Sequence, residues 1–170
     1  MEAFTGIEEL DRVLWRLSKV QSRDEHDEAM GELAEIAPQH IEALDALYDS
    51  NSYERMPLIW CLIGQTNRLA VDLFSKAIKD KDQYTRWAAA TALARCSNRE
   101  ASSLLVSALK DRSHLVKQEA VDAMALARFQ DPAAIPQLKK IIASSYLQRV
   151  SPGVVNSAKK ALRLCQESDQ

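Results

Sequence analysis

Residues 24–28 read Asp-Glu-His-Asp-Glu, with Glu32 and Glu35 following, so four carboxylates and an imidazole fall within about one turn of any helix formed there. That composition could bind a divalent cation if the groups converged. Neighbouring helix positions point in different directions, however, and cannot all face one ion. The run therefore reads as a solvated helix start favoured by the helix dipole, with Asp24, Asp27 and Glu28 as an acidic docking flank. The other histidines, His40 and His114, are far away in the chain. No zinc-ligand spacing, Walker loop, dinucleotide loop or nucleophile elbow is present, and 4 glycines are too few for most phosphate cradles. No catalytic residue, metal or cofactor is assigned, and the chain reads as a non-enzyme.

Charge narrows the partner. Residues 1–54 carry 14 acidic and 4 basic side chains, a net −10, whereas residues 55–170 carry 10 and 18, a net +8. Such a dipolar chain can steer a charged partner. The basic half includes Lys139, Lys140, Lys159, Lys160 and Arg163, but a nucleic-acid module shows a basic domain or stripe, and the overall pI is about 5.9. A protein partner with a basic surface is the better expectation. Cys61, Cys96 and Cys165 are odd in number, widely spaced and set in apolar stretches, which predicts buried, reduced thiols. No apolar run reaches the roughly 18 residues of a span, and the N-terminus lacks a basic-then-apolar leader pattern, so a cytoplasmic protein is expected.

These residues must be positioned by helices. Ala, Leu, Glu, Lys and Arg dominate the long segments, and start signals recur about every 15 residues. Thr5 with Glu8 and Ser22 with Glu25 have capping-box spacing. Ser52, Asn67, Asp82, Asn98 and Ser113 are further N-caps, and Asp131-Pro132 and Ser151-Pro152 place a proline at the first helical position. The predicted helices are 6–20, 23–37, 39–49, 54–65, 68–79, 83–96, 99–110, 114–128, 132–143 and 152–166, with a loop around Leu147–Ser151.

An internal repeat organises them. AIKDKDQYTRWAAATALARC (Ala77–Cys96) aligns with ALKDRSHLVKQEAVDAMALA (Ala108–Ala127) at an offset of 31 residues. Ala89, Ala92 and Leu93 fall on Ala120, Ala123 and Met124, at helical spacing along one face. At an offset of 30, Leu44, Leu47 and Tyr48 match Phe74, Ala77 and Ile78, and Ile59, Leu62 and Ile63 match Ala89, Ala92 and Leu93. Leu138, Ile141 and Ile142, then Ala158, Ala161 and Leu162, continue the pattern. The small alanines let helices approach closely, and each pair has an apolar stripe that only stacked neighbours can bury.

ALKDRSHLVKQEAVDAMALA, followed by FQDPAAIPQLKKII (Phe129–Ile142), resembles the HEAT repeat, in particular the short bacterial HEAT-like type of phycobilisome bilin lyases. The shared features are the apolar-Lys-Asp turn, the basic residue opening the second helix, the Ala-rich second helix and the Asp-Pro-x-x-Ile-Pro opening. The resemblance is strong over residues 70–142, fair over 39–66 and 143–166, and weak before 38. It implies an all-α, right-handed α-solenoid of about five HEAT-like pairs, about ten helices in one domain. Residues 1–38 would be a degenerate cap pair, 39–166 the repeats and 167–170 a tail. It also implies a ladder of turn aspartates and basic residues, held by Asp80, Arg86, Asp111 and Lys117, with Ser50 and Met56 breaking it one repeat earlier. A HEAT-type di-iron hydroxylase family uses several His-Glu dipeptides; here Glu25-His26 has the opposite order and occurs once.

HEAT-like arrays mostly bind proteins, with second helices lining the concave side. Under the alignment Trp60 matches Ala90 and Val121, and Trp87 matches Gln118 and Pro57, off the main core positions. They are expected to face the groove as an aromatic hot spot beside Gln118 and Asp122; the alternative is that they fill space between repeats. Trp15, beside Leu14 and Leu17, is expected in the core. The function that follows is a protein-binding adaptor or inhibitor, such as an immunity protein neutralising a basic toxin. A bilin lyase-like chromophore-handling subunit and a nucleic-acid-binding array are the alternatives.

Overall fold

The computed structural model describes residues 4–50, 53–96, 99–126, 129 and 131–167. Among them the chain forms α1 (Glu8–Lys19), α2 (Arg23–Ile36), a 3-10 turn (Ala37–Gln39), α3 (Ile41–Ser50), α4 (Arg55–Trp60), α5 (Arg68–Ala77) and α6 (Gln83–Leu93). It continues through α7 (Arg99–Ala108), α8 (His114–Met124), a 3-10 turn (Pro132–Ala134), α9 (Ile135–Ala143), α10 (Ser145–Val150) and α11 (Pro152–Glu167). The result is an all-α, right-handed solenoid. The second helices stack in a row, α4 on α6, α6 on α8 and α8 on α11, while α5, α7 and α9 back them as first helices.

Several predicted caps form. The side chains of Ser22, Asn67, Asp82 and Asp131 accept from the N–H groups of Glu25, Ala70, Thr85 and Ala133 at 3.3, 3.0, 2.7 and 2.9 Å. Pro38 ends α2 by opening a 3-10 turn, and Pro152 begins α11. Gly64, at φ +104°, turns the chain out of the α4 region, a conformation that a side chain would strain. Ser52 and Asn98 lie outside the described residues.

Other expectations are corrected. Thr5 does not cap α1, whose N-cap is Ile7. Asp11, one turn inside the helix, reaches back instead and accepts from the Thr5 N–H and Oγ1, both at 2.7 Å, and the Gly6 N–H at 3.0 Å. Burial opposes the charge on Asp11, but these donors hold its carboxyl below the usual range. Ser113 makes no capping bond, and among the described residues its buried Oγ has no partner. The expected loop at 147–151 is mostly helix, since Ser144 caps α10 through the Leu147 N–H at 3.3 Å. Trp15 is not core; it is 41% exposed. The buried face of α1 runs Leu10, Val13, Leu14, which leaves position 15 outside.

The core is one continuous cluster from Leu10 to Cys165. Ala88, Ala89, Ala90 and Ala92 of α6 are fully buried between α4 and α8, where larger side chains would hold the helices apart. The repeat register at α4 is 31, not 30. Leu58, Ile59, Cys61 and Leu62 are buried as are Ala89, Ala90, Ala92 and Leu93, whereas Ile63 is half-buried and lies beyond the helix. The offset of 30 holds for α3 against α5, so the one-residue change falls in the α3–α4 turn.

That shift restores the ladder. Met56 does not break it: Arg55, 31 residues before Arg86, binds Asp80 at 2.9 Å and lies over the Tyr48 ring, 4.6 Å from its centroid, while Ser50, whose hydroxyl donates to the Leu47 carbonyl at 2.7 Å, still stands in place of a turn aspartate. Tyr48 Oη donates to Asp80 Oδ2 at 2.6 Å, and the Asp82 N–H donates to Asp80 Oδ1 at 2.8 Å. One repeat on, Arg86 grips Asp111 with two bonds of 2.7 and 3.0 Å, and donates to the carbonyls of Asp80 and Lys81 at 2.9 and 3.0 Å. Burial would raise both aspartates, yet their hydrogen bonds and the guanidinium charges hold them below the usual carboxylate range. Lys117 adds its field at Asp111.

Candidate functional site

The row of second helices sets the geometry. A helix position repeated every 31 residues projects from the same place on each repeat. On this register Met56, Trp87 and Gln118 are equivalent, and so are Trp60, Thr91 and Asp122. Trp60 therefore does not match Ala90 and Val121, which are fully buried; Trp60 is 37% exposed. Each repeat presents an i, i+4 pair on one face: Met56 with Trp60, Trp87 with Thr91, Gln118 with Asp122.

Trp60 and Trp87 meet across α4 and α6. Their ring centroids are 5.0 Å apart with planes tilted by 37°, an ordinary aromatic pairing distance. Both line a cavity of about 480 Å³, completed by His26, Asp27, Met30, Gly31 and Ala34 of α2 and by Met56, Pro57 and Cys61. The lining is mostly apolar. Asp27 is its carboxylate, with His26 Nδ1 3.6 Å away and Arg23 Nε at 3.7 Å. The Cys61 thiol donates to the Leu58 carbonyl at 3.3 Å, and burial pushes it up to about 12.

A second, separate cleft of about 210 Å³ lies between α6 and α8, lined by Thr91, Ala94, Arg95, Glu119, Asp122, Ala123 and Leu126. The side chains of Trp87 and Thr91 lie close enough to the Glu119 carboxyl to favour its charged form, and the Thr91 hydroxyl donates to the Trp87 carbonyl at 3.1 Å. Burial raises the Glu119 carboxyl and the Asp122 charge adds to this, with Thr91, Trp87 and Arg95 offsetting part. Gln118 Nε2 donates to Asp122 Oδ2 at 2.7 Å, one turn along α8.

The acidic flank divides. Asp27 enters the aromatic cavity, Glu28 lies in a shallow depression with Trp15, Arg16, Lys19, Val20 and Glu25, and Asp24 is exposed and lines neither. Among the described residues no group of three or more His, Cys, Asp or Glu side chains is placed to hold a metal ion. Among them, too, no helix is long and apolar enough to cross a membrane.

Met30 and Glu119 were not singled out by the sequence, and Met56 was read there only as a departure from the ladder. Met56 could have been found from its place one turn before Trp60. Glu119 carries no such signal, because its role depends on Trp87 from the neighbouring repeat.

The sequence matches the family described as HEAT repeats over residues 41–125 and, in an overlapping placement, 71–158. The chain belongs to the HEAT-repeat family. Nothing in this match or in the fold specifies the bilin-lyase subtype. Among curated proteins none matches significantly. Among solved structures, this HEAT-repeat chain is similar to a designed armadillo repeat protein in complex with the peptide (KR)4, at a TM-score of 0.56 and 22% identity, covering 95% of this chain and 88% of that one. Human deoxyhypusine hydroxylase, in complex with glycerol, aligns at a TM-score of 0.48 and 12% identity, covering 96% and 75%. At these identities the likeness is one of fold.

Proposed function

We propose that this HEAT-repeat chain is a non-catalytic binding module that holds a protein partner on the face formed by α2, α4, α6 and α8. The observation that carries this reading is the Trp60–Trp87 pair, partly exposed on a mostly apolar cavity of about 480 Å³. Indoles left in contact with water on a concave surface are the side chains that contribute most area when a partner covers them. Gln118 and Asp122 extend the surface across α8, and Asp24, Asp27 and Glu28 supply negative charge at the acidic end. The designed armadillo protein of similar fold is described with a Lys/Arg peptide, which motivates a basic partner here.

Within this reading a narrower version is an inhibitor or adaptor acting in the cytoplasm, such as an immunity protein that blocks a basic toxin. Its support is the net −10 of residues 1–54. Converting Asp24, Asp27 and Glu28 to Asn, Asn and Gln should weaken such a partner; unchanged binding removes that version. Neither chromophore handling nor nucleic-acid binding gains support from the geometry.

The general reading is tested by capturing partners from the native cell with tagged wild-type protein and with Trp60→Ala/Trp87→Ala, helicity being checked by circular dichroism. A stoichiometric partner lost from the folded double variant is expected. A partner retained by it would move the site away from this face.

A further inference from the structure

We infer that the chain assembles head to tail, the basic surface of α9, α10 and α11 at one end of the solenoid docking on the acidic surface of α1 and α2 of a second copy. The contact uses the ends of the stack rather than the Trp60–Trp87 groove, so it goes beyond the binding reading above and does not depend on it.

Charge is sorted to the two ends. Residues 24–54 hold ten Asp and Glu and no Lys or Arg, whereas residues 132–166 hold six Lys and Arg and no Asp or Glu. Neighbours neutralise part of the acidic segment: Glu32 pairs with Arg12 and Arg16, Asp27 with Arg23, and Asp45 and Asp49 with Lys76. Asp24, Glu25, Glu28 and Glu35 are exposed on α2 and, among the described residues, stand in no ion pair. The six cations, Lys139, Lys140, Arg149, Lys159, Lys160 and Arg163, are likewise exposed and, among the described residues, unpaired. A solenoid needs polar outer faces on its terminal repeats, but two ends of opposite sign attract each other.

Each end also leaves apolar side chains in water. On α10, a helix inserted within the last pair, Leu147 is buried, while Tyr146 and Val150, one turn apart, are 62% and 50% exposed with the Arg149 guanidinium beside them. At the other end Trp15 and Val20 line a depression of about 290 Å³ with Glu25, Glu28, Arg16 and Lys19. Arg16 is held by Glu32 at 2.7 Å, which leaves Lys19 against two carboxylates. A docked α10 would cover Trp15 and Val20 with Tyr146 and Val150 and bring Arg149 to Glu25 and Glu28.

The topology permits this. α2 shares the Trp60–Trp87 cavity with α4 and α6, so it heads the row of second helices that α11 ends. Residues 20–22 and 144–151 each join a first helix to its second, and such turns lie along one edge of a solenoid. The depression and α10 therefore share an edge at opposite ends, and a translation along the stack carries one copy's α10 to the next copy's depression. A two-fold dimer through either end would set like charges face to face, so the contact is heterologous and does not close on itself.

The test is sedimentation velocity of the full-length chain from about 10 to 300 μM, at about 0.05 M and about 0.5 M salt. At low salt the average mass should rise with concentration beyond that of a dimer, and high salt should weaken association at least about ten-fold. Lys159→Glu/Lys160→Glu/Arg163→Glu and, separately, Asp24→Lys/Glu25→Lys/Glu28→Lys should each be monomeric. An equimolar mixture of the two should associate again, because each offers the other an end of opposite sign. Tyr146→Ala/Val150→Ala should weaken low-salt association several-fold with the charges untouched. If the acidic-end variant fails to fold, the basic-end and α10 variants, whose substituted residues are all exposed, carry the test. The mass of one chain at every concentration in low salt, a dimer that grows no further, association indifferent to these variants, or a folded mixture that stays monomeric would each overturn the inference. Partner capture through Trp60 and Trp87 would survive any of these results, so the two readings fail separately.

Discussion

Replacing Arg86 by methionine should cost far more than an ordinary ion pair. Arg86 and Asp111 side chains are only 6% and 12% exposed, and the guanidinium also satisfies the carbonyls of Asp80 and Lys81. Arg86→Met keeps much of the buried volume but leaves the Asp111 carboxylate with the Ser113 N–H at 2.7 Å and the field of Lys117. Stranding one member of a buried pair costs about 3–5 kcal/mol. For a chain of this length each kcal/mol moves the midpoint by about 2–4 °C, so a fall of roughly 6–20 °C is expected. Arg86→Met/Asp111→Leu removes the stranded charge and should recover most of the loss. A deficit of about 1–3 kcal/mol should remain, because the Ser113 N–H and the two carbonyls lose their partners. Acid should narrow the single-variant gap. Asp111 sits below its ordinary value when folded, so its contribution is complete above the unfolded pKa of about 3.9 and is lost as pH falls through the folded one. Urea melts followed by circular dichroism measure all of this. A single-variant cost below about 1 kcal/mol, typical of surface pairs, would refute the reasoning. So would a double variant no more stable than the single one.

Two further outcomes follow from the groove. Glu119 is raised by burial, so its charged form opposes folding and its contribution is lost as pH rises through the folded value. Glu119→Gln, which keeps the size of the side chain without its charge, should melt higher than wild type at pH 7, and the difference should close below about pH 4.3; an equal loss of stability at both pH values would contradict this. Cys61, Cys96 and Cys165 are buried and Cys61 is pushed up to about 12, so native protein at neutral pH should resist Ellman's reagent and react fully in urea. Rapid labelling of one thiol per folded chain would show a more open groove floor than the one described.

The fold was legible because its signals are local and repeated. Ala77–Cys96 and Ala108–Ala127 carry the same turn, the same basic residue and the same alanine face, and the proline starts mark their neighbours. What escaped depends on single residues. One residue fewer in the α3–α4 turn changes the offset from 30 to 31, and the apolar pattern around Ile59 tolerates either. Only the charge pattern distinguishes them, since the 31-residue spacing places Arg55 where Arg86 and Lys117 stand. The α10 helix spans six residues, too few for a periodicity to register. Trp15 was misplaced by adjacency to Leu14 and Leu17, whereas the structure buries the i, i+3, i+4 stripe of Leu10, Val13 and Leu14.

The same register orders the groove. Along the stack the paired positions run Met56/Trp60, Trp87/Thr91 and Gln118/Asp122, from apolar and aromatic to polar. The buried alanines behind them, Ala88 to Ala90 in α6 and Ala120 in α8, are indifferent to what the outward pair contains. A solenoid of this kind separates the residues that stack repeats from those that meet a partner. The buried ladder through Arg55, Asp80, Arg86 and Asp111 then fixes each repeat against the next, so the outward pairs are held in register before any partner arrives. Less ordering of the receptor is needed on binding, which favours affinity from few contacts. On the proposed reading, exchanging Trp60 and Trp87 for polar residues should change what the face binds while leaving the stack intact, whereas cutting the ladder should damage both.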